Sequence, residues 1–206
     1  MTVVKVKICG ITRTGDIGAA VNAGADALGF VFTPRSKRYV RAEDAAALVS
    51  AVPAFVSRVG LFMDQGAEEV LEVLARAQLN LLQFHGSEPA GFCAQFGLPY
   101  IKAIGMGAED DTGDICAAYP DACGVLLDSH EPGQAGGTGH VFDWNRIPAL
   151  NKPLVLAGGL NPGNVARAVR ATRPWAVDVS SGVEDAPGIK NHERMREFIK
   201  EAKREN

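Results

Sequence analysis

The chain has 206 residues, 47% hydrophobic and 22% charged, with 21 Lys plus Arg against 24 Asp plus Glu for a net charge of −3. These proportions exclude a disordered or fibrous chain, and the length holds one large domain or two small ones around a sizeable core. The basic residues are scattered, with one dense run at Arg35-Ser36-Lys37-Arg38, so there is no footprint for nucleic acid.

In chain order, a first strand is predicted over 3–9 and a helix over 12–23. A second strand, 27–32, precedes a helix over 41–51. The third strand, 56–62, is followed by a helix that Asp64 can cap, with Val70, Leu74 and Ala77 at i, i+4 and i+7. The fourth strand, 81–84, leads to Ser87, a candidate cap for a helix carrying Phe92 and Phe96 and stopping at Gly97. The fifth, 100–104, is followed by a helical pattern over 110–119 that Gly113 interrupts. The sixth, 124–127, is followed after Phe142 by a segment that Pro148 limits to a short turn. The seventh, 154–157, leads into Asn161-Pro162, a cap with proline at the first helical position. The eighth, 176–179, precedes a closing helix whose apolar face is Met195, Phe198, Ile199 and Ala202.

Most of these strands are continuous apolar runs rather than alternating ones, the signature of strands buried on both faces in a parallel sheet. There is one βα unit per about 26 residues and no linker between units. An open doubly wound sheet calls for G-x-G-x-x-G after its first strand, whereas this strand ends in Cys9-Gly10-Ile11-Thr12. The expected fold is therefore α/β: a minimal (β/α)8 TIM barrel forming a single domain over 1–206.

Apolar stretches reach only seven or eight residues, and the N-terminus lacks the zones of a signal peptide, so a cytoplasmic protein off the membrane is expected. Cys9, Cys93, Cys116 and Cys123 form no C-x-x-C pair, and the four histidines show no ligand spacing. Neither disulfides nor a metal site is expected.

In such a barrel the chemistry sits at the C-terminal ends of the strands. That rule selects Cys9, Arg38, His85, Asp128, the pair Gly158-Gly159, and Ser180-Ser181-Gly182. The last two loops suit a phosphate held by backbone N–H groups, or else are tight turns with a capping serine. Cys9 is either inert packing or a thiolate whose pKa is lowered by nearby positive charge. Asp128 caps a loop or acts as a general acid or base. The loop over 133–139, with Gly136, Gly137, Thr138 and Gly139, either covers a site or is a plain flexible loop.

The motifs also carry a resemblance. Lys7-Ile8-Cys9-Gly10-Ile11-Thr12, Gly24-Ala25-Asp26, Gly29-Phe30-Val31-Phe32, Ser36-Lys37-Arg38 and Gln83-Phe84-His85-Gly86 occur in order. Leu126-Leu127-Asp128-Ser129, Gly136-Gly137-Thr138-Gly139, Phe142-Asp143-Trp144, Leu156-Ala157-Gly158-Gly159-Leu160-Asn161-Pro162, Asn164-Val165 and Asp178-Val179-Ser180-Ser181-Gly182-Val183-Glu184 follow. Together they resemble the phosphoribosylanthranilate isomerase family of tryptophan biosynthesis, from about Lys5 to Phe198. The family usually has Ser-Pro-Arg where this chain has Ser36-Lys37-Arg38, Gln-Leu-His-Gly at Gln83-Phe84-His85-Gly86, and Gly-x-Lys-Asp at Gly188-Ile189-Lys190-Asn191.

The resemblance implies an Amadori rearrangement of an aminoaldose to an aminoketose, with no metal or organic cofactor. It implies Asp128 as general acid and Cys9 as general base. Gly158, Gly159, Ser180, Ser181 and Gly182 would grip the phosphate, Arg38 the anthranilate carboxylate, and Asp178 a sugar hydroxyl. His85, Gly136, Gly137 and Thr138 would contact substrate or cover it. The partner is a small phosphosugar, and the assembly a monomer or homodimer. The rival readings are a ProFAR-type isomerase, expected to use two aspartates and two phosphate sites, and a non-catalytic phosphosugar-binding barrel. Cys9, together with a single phosphate signature, speaks against the first. The presence of both Cys9 and Asp128 speaks against the second.

Overall fold

The computed structural model describes residues 3–106, 116–129 and 142–204. Eight parallel strands close into a barrel in sequential order: β1 (Lys5–Cys9), β2 (Ala27–Val31), β3 (Ser57–Phe62), β4 (Leu81–Phe84), β5 (Tyr100–Gly105), β6 (Gly124–Asp128), β7 (Leu154–Leu156) and β8 (Ala176–Val179). The ring closes where β8 pairs with β1, Val6 opposite Val177 and Ile8 opposite Val179. Helices on the outside are α1 (Thr14–Ala23), α2 (Ala42–Ser50), α3 (Ala67–Arg76), α4 (Ala90–Ala94), α5 (Val165–Thr172) and α6 (His192–Lys203). No helix among the described residues is long and apolar enough to cross a membrane.

Alternation along each strand divides the core. On β1, Val6 and Ile8 face the helices and join the large outer core with Phe30, Leu82, Val177 and Phe198. Ile101, Ala103, Leu126, Val155, Ala157 and Ala176 form a second cluster. This two-sided burial is the reason the strands read as continuous apolar runs.

Helix starts differ from the sequence expectation in instructive ways. Asp64 does not cap α3; Gly66 does, and Asp64 instead adopts φ 59° and accepts the Ser87 N–H at 2.6 Å. Ser87 is therefore not the cap of α4, which begins after Pro89; the residue before a proline avoids helical backbone, so the start is delayed. Asn161 does not cap α5. Its side chain accepts the Gly163 N–H in a tight turn, and the helix begins at Val165 behind Asn164. Thr12 is also outside its helix, because its hydroxyl donates to the Gly188 carbonyl at 2.6 Å. The turn expected after Phe142 is a 3-10 turn, Trp144–Arg146, capped by Asp143. Most of the weaker helical pattern over 110–119 lies outside the described residues.

One element has no counterpart in the sequence reading. After β8 the chain makes a 3-10 turn, Ser181–Val183, and then a small antiparallel hairpin, β9 (Glu184–Ala186) with β10 (Ile189–Lys190). Gly188, at φ 80°, turns it. The hairpin leans against the barrel mouth through Thr12 and brings two charged side chains there.

Candidate active site

The C-terminal mouth of the barrel gathers nearly every residue singled out from sequence. Cys9 ends β1, and Asp128 is the last residue of β6 rather than the first of a loop. Both are buried, as are His85 after β4 and Asp178 on β8. Gln83 donates from Nε2 to His85 Nδ1 at 3.0 Å, which leaves the neutral ring's hydrogen on Nε2, 3.6 Å from Asp128 Oδ2. The Ser129 hydroxyl donates to Asp128 Oδ1 at 3.4 Å. His85 is thus seated between Gln83 and the carboxylate.

The loops after β7 and β8 press against each other. Gly158 and Gly159 have φ 83° and 63°, a region that L side chains avoid. A Cβ on Gly158 would overlap the Ser129 backbone N, and one on Gly182 would overlap the Leu160 carbonyl oxygen. Glycine at 182 lets the loops after β7 and β8 meet with bare backbone, and glycine at 158 lets the loop after β7 pass against Ser129, just after β6.

Arg38 lies against the same wall. A Cβ at Gly10, whose φ is 77°, would run into Arg38 Cδ and sit 3.1 Å from Ser180 Oγ. Arg38 Nε and Nη2 donate to Glu184 Oε1 and Oε2 at 2.8 and 2.6 Å. Lys190 Nζ reaches Glu184 Oε1 at 2.7 Å and the Ser180 carbonyl at 3.2 Å. Burial works to raise the Glu184 carboxyl, but the Arg38 hydrogen bonds and the Lys190 charge outweigh it and hold the group below the usual carboxylate range.

Cys9 corrects one expectation. Burial pushes its thiol up, against the opposing charge of Lys7 and then Lys190, and the balance stays upward rather than downward.

Gly136, Gly137 and Thr138 lie outside the described residues, and so do His130 and His140.

A family model described as N-(5'phosphoribosyl)anthranilate (PRA) isomerase matches residues 6–201. The chain belongs to the PRA isomerase family. An N-(5'-phosphoribosyl)anthranilate isomerase of Pseudomonas fluorescens is 52% identical over 200 residues, covering 97% of this chain and 98% of that one. The phosphoribosyl anthranilate isomerase of Thermotoga maritima matches with a TM-score of 0.86 at 44% identity, over 97% of this chain and 98% of that one. A PRA isomerase solved in complex with reduced 1-(o-carboxyphenylamino)-1-deoxyribulose 5-phosphate matches with a TM-score of 0.83 at 43% identity, over the same 97% and 98%. The chain is thus an isomerase of this family with its (β/α)8 barrel fold.

Within this PRA isomerase fold, sequence reasoning overlooked Lys7, Gln83, Glu184 and Lys190. Lys7 Nζ pairs with Asp178 Oδ1 at 3.0 Å inside the barrel. Two of the four carried a signal. Lys7 and Gln83 are polar residues inside apolar strands, two residues before Cys9 and His85, and so on the same faces as these. Glu184 and Lys190 stand inside the family motifs, but motif membership gave them no role, because that role depends on a hairpin that folds back over the mouth.

Proposed function

We propose that this chain converts N-(5'-phosphoribosyl)anthranilate to 1-(2-carboxyphenylamino)-1-deoxyribulose 5-phosphate, the isomerisation step of tryptophan biosynthesis, by general acid–base catalysis. The observation that carries the reading is the pairing of Asp128 and Cys9 at the ends of β6 and β1, opening on one mouth. Asp128 protonates the furanose ring oxygen, the ring opens, and a protonated Schiff base forms. Cys9 removes the proton from C2 of the sugar, which the iminium group has acidified. The enolamine then tautomerises to the ketone. Protons move and no electrons are gained or lost, so the step calls for one acid and one base.

Each anionic end of the substrate has a grip. The phosphate meets bare backbone at Gly158, Gly159 and Gly182, with the Ser180 and Ser181 hydroxyls beside it. Arg38 takes the anthranilate carboxylate. Its pairing with Glu184 uses the Nε–Nη2 edge and leaves the Nη1–Nη2 edge for a second fork. Lys190 balances the Glu184 charge, so Arg38 keeps its own for the ligand. Asp178 binds a sugar hydroxyl. His85 steadies Asp128.

The test is turnover. Purified protein incubated with phosphoribosylanthranilate, without added metal or cofactor, loses the anthranilate-type fluorescence, and a ProFAR substrate in parallel is left unconverted. Persistent fluorescence with active enzyme controls, or turnover of the ProFAR substrate alone, overturns the reading.

A further inference from the structure

A lysine inside a barrel is costly unless its charge is matched. Lys7 points into this one and is matched by Asp178, both buried. The pair lies next to Cys9. Lys7 and Cys9 alternate on the same face of β1, and Gly29 of β2 is in register with Cys9. A Cβ on Gly29 would stand 2.9 Å from Cys9 Sγ and 3.1 Å from Lys7 Cε, so those two atoms are at most about 6 Å apart. Glycine at this point leaves the space between them open.

The charged groups facing Cys9 come from four directions: Lys7 on its own strand, Asp178 on β8, Lys190 on β10, and Arg38 after β2. Glu184 neutralises one of the last two. With Cys9 as a thiol, the cluster holds three cations, Lys7, Lys190 and Arg38, and two anions, Asp178 and Glu184. Ionising Cys9 places a negative charge beside Lys7. Burial opposes that ionisation, and the Lys7 charge is the largest influence favouring it. Asp178 acts in the opposite sense, because it draws Lys7 to itself and repels a thiolate.

We propose that Lys7, anchored by Asp178, is a positioning residue for the base: its ammonium is the counter-charge that lets buried Cys9 exist as a thiolate. The inference rests on the reading of Cys9 as the base and explains how a thiol in a dry site can serve as one. Lys7 need not touch the substrate to do this. A lysine that only braces the barrel would leave the Cys9 titration where it is.

The experiment titrates Cys9 directly. Thiolate absorbance is followed against pH as the difference from a matched Cys9→Ala protein, which removes the contributions of the other three cysteines. Lys7→Met is expected to lower the thiolate fraction at pH 8 by tenfold or more, a rise of about one pH unit in the midpoint. Lys7→Arg, which keeps the charge, is expected to stay within threefold of the wild type. Asp178→Asn is expected to shift the midpoint the other way. If Lys7→Met fails to fold, Lys7→Gln supplies the neutral variant. A folded neutral variant whose Cys9 titrates as in the wild type, or more readily, overturns the inference. Full turnover by Cys9→Ala overturns the base reading instead, and the titration is indifferent to that result.

Discussion

Arg38 sets one edge of its guanidinium against one carboxylate: Nε and Nη2 meet the two oxygens of Glu184 at 2.8 and 2.6 Å. The two residues are 146 positions apart, and the contact ties the loop after β2 to the hairpin after β8. An arginine held so has a fixed plane, which suits recognition of a second, planar carboxylate.

Arg38→Ala is expected to raise KM for phosphoribosylanthranilate by roughly ten- to a hundredfold, the worth of a charge-assisted hydrogen bond. Arg38→Lys should recover little of this, since an ammonium cannot fork. Steady-state kinetics checks both, and an unchanged KM removes Arg38 from the carboxylate site. Because Glu184 keeps Lys190, Arg38→Ala should cost only about 1–2 kcal/mol of stability, less than breaking an isolated buried pair. The folded Glu184 carboxyl lies below its unfolded value, so its contribution is present above about pH 4.5 and lost as the pH falls through the folded value.

Cys9→Ala and Asp128→Asn should each lower kcat by about 10²–10⁴-fold, the range for loss of a general base or acid. KM should change little and the thermal midpoint should stay within a few degrees. Activity near the wild-type level in either variant removes that residue from its role.

Gly182→Ala tests the meeting of the loops after β7 and β8. The new methyl group would overlap the Leu160 carbonyl oxygen, which is backbone and cannot swing aside. A loss of about 2–3 kcal/mol in urea denaturation is expected, with a KM raised at least tenfold because the proposed phosphate cradle opens. A stable variant with ordinary KM would show that the two loops are not closed on each other.

Cys93 gives an alkaline signature unrelated to catalysis. It belongs to α4 and turns its side chain into the outer core, and burial pushes its thiol from 9.0 up to about 11. A neutral thiol is favoured in the folded state, so this stabilisation is complete below pH 9 and disappears between about pH 9 and 11 as the unfolded chain ionises. The loss is on the order of 2–3 kcal/mol. Urea midpoints at pH 8 and pH 10.5 should fall further apart in the wild type than in Cys93→Ala. Equal separations would contradict the assignment.

Periodicity and strand composition carried most of the fold. All eight barrel strands lie within two residues of their expected positions, because parallel strands buried on both faces have an unmistakable apolar run. Helix starts were less legible. Asp64, Ser87 and Asn161 have the right chemistry for caps, but each spends its hydrogen bonds on a turn or on a neighbouring loop. Cys9, Asp128, His85 and the glycine loops were reachable because a barrel gathers its strand ends at one mouth, so position along a strand stands in for position in space.

What the sequence by itself determined is therefore the barrel, its mouth and the residue types offered there. Only tertiary structure decided their charge states and pairings. The Cys9 thiol lies high because the surrounding side chains exclude water, an effect no single strand encodes. Lys7 meets Asp178 across the seam where the first and last strands close the ring, and Arg38 meets Glu184 because a hairpin at the far end of the chain folds over the mouth. Electrostatic coupling depends on distance and local dielectric, and both are set by which segments pack together rather than by order along the chain.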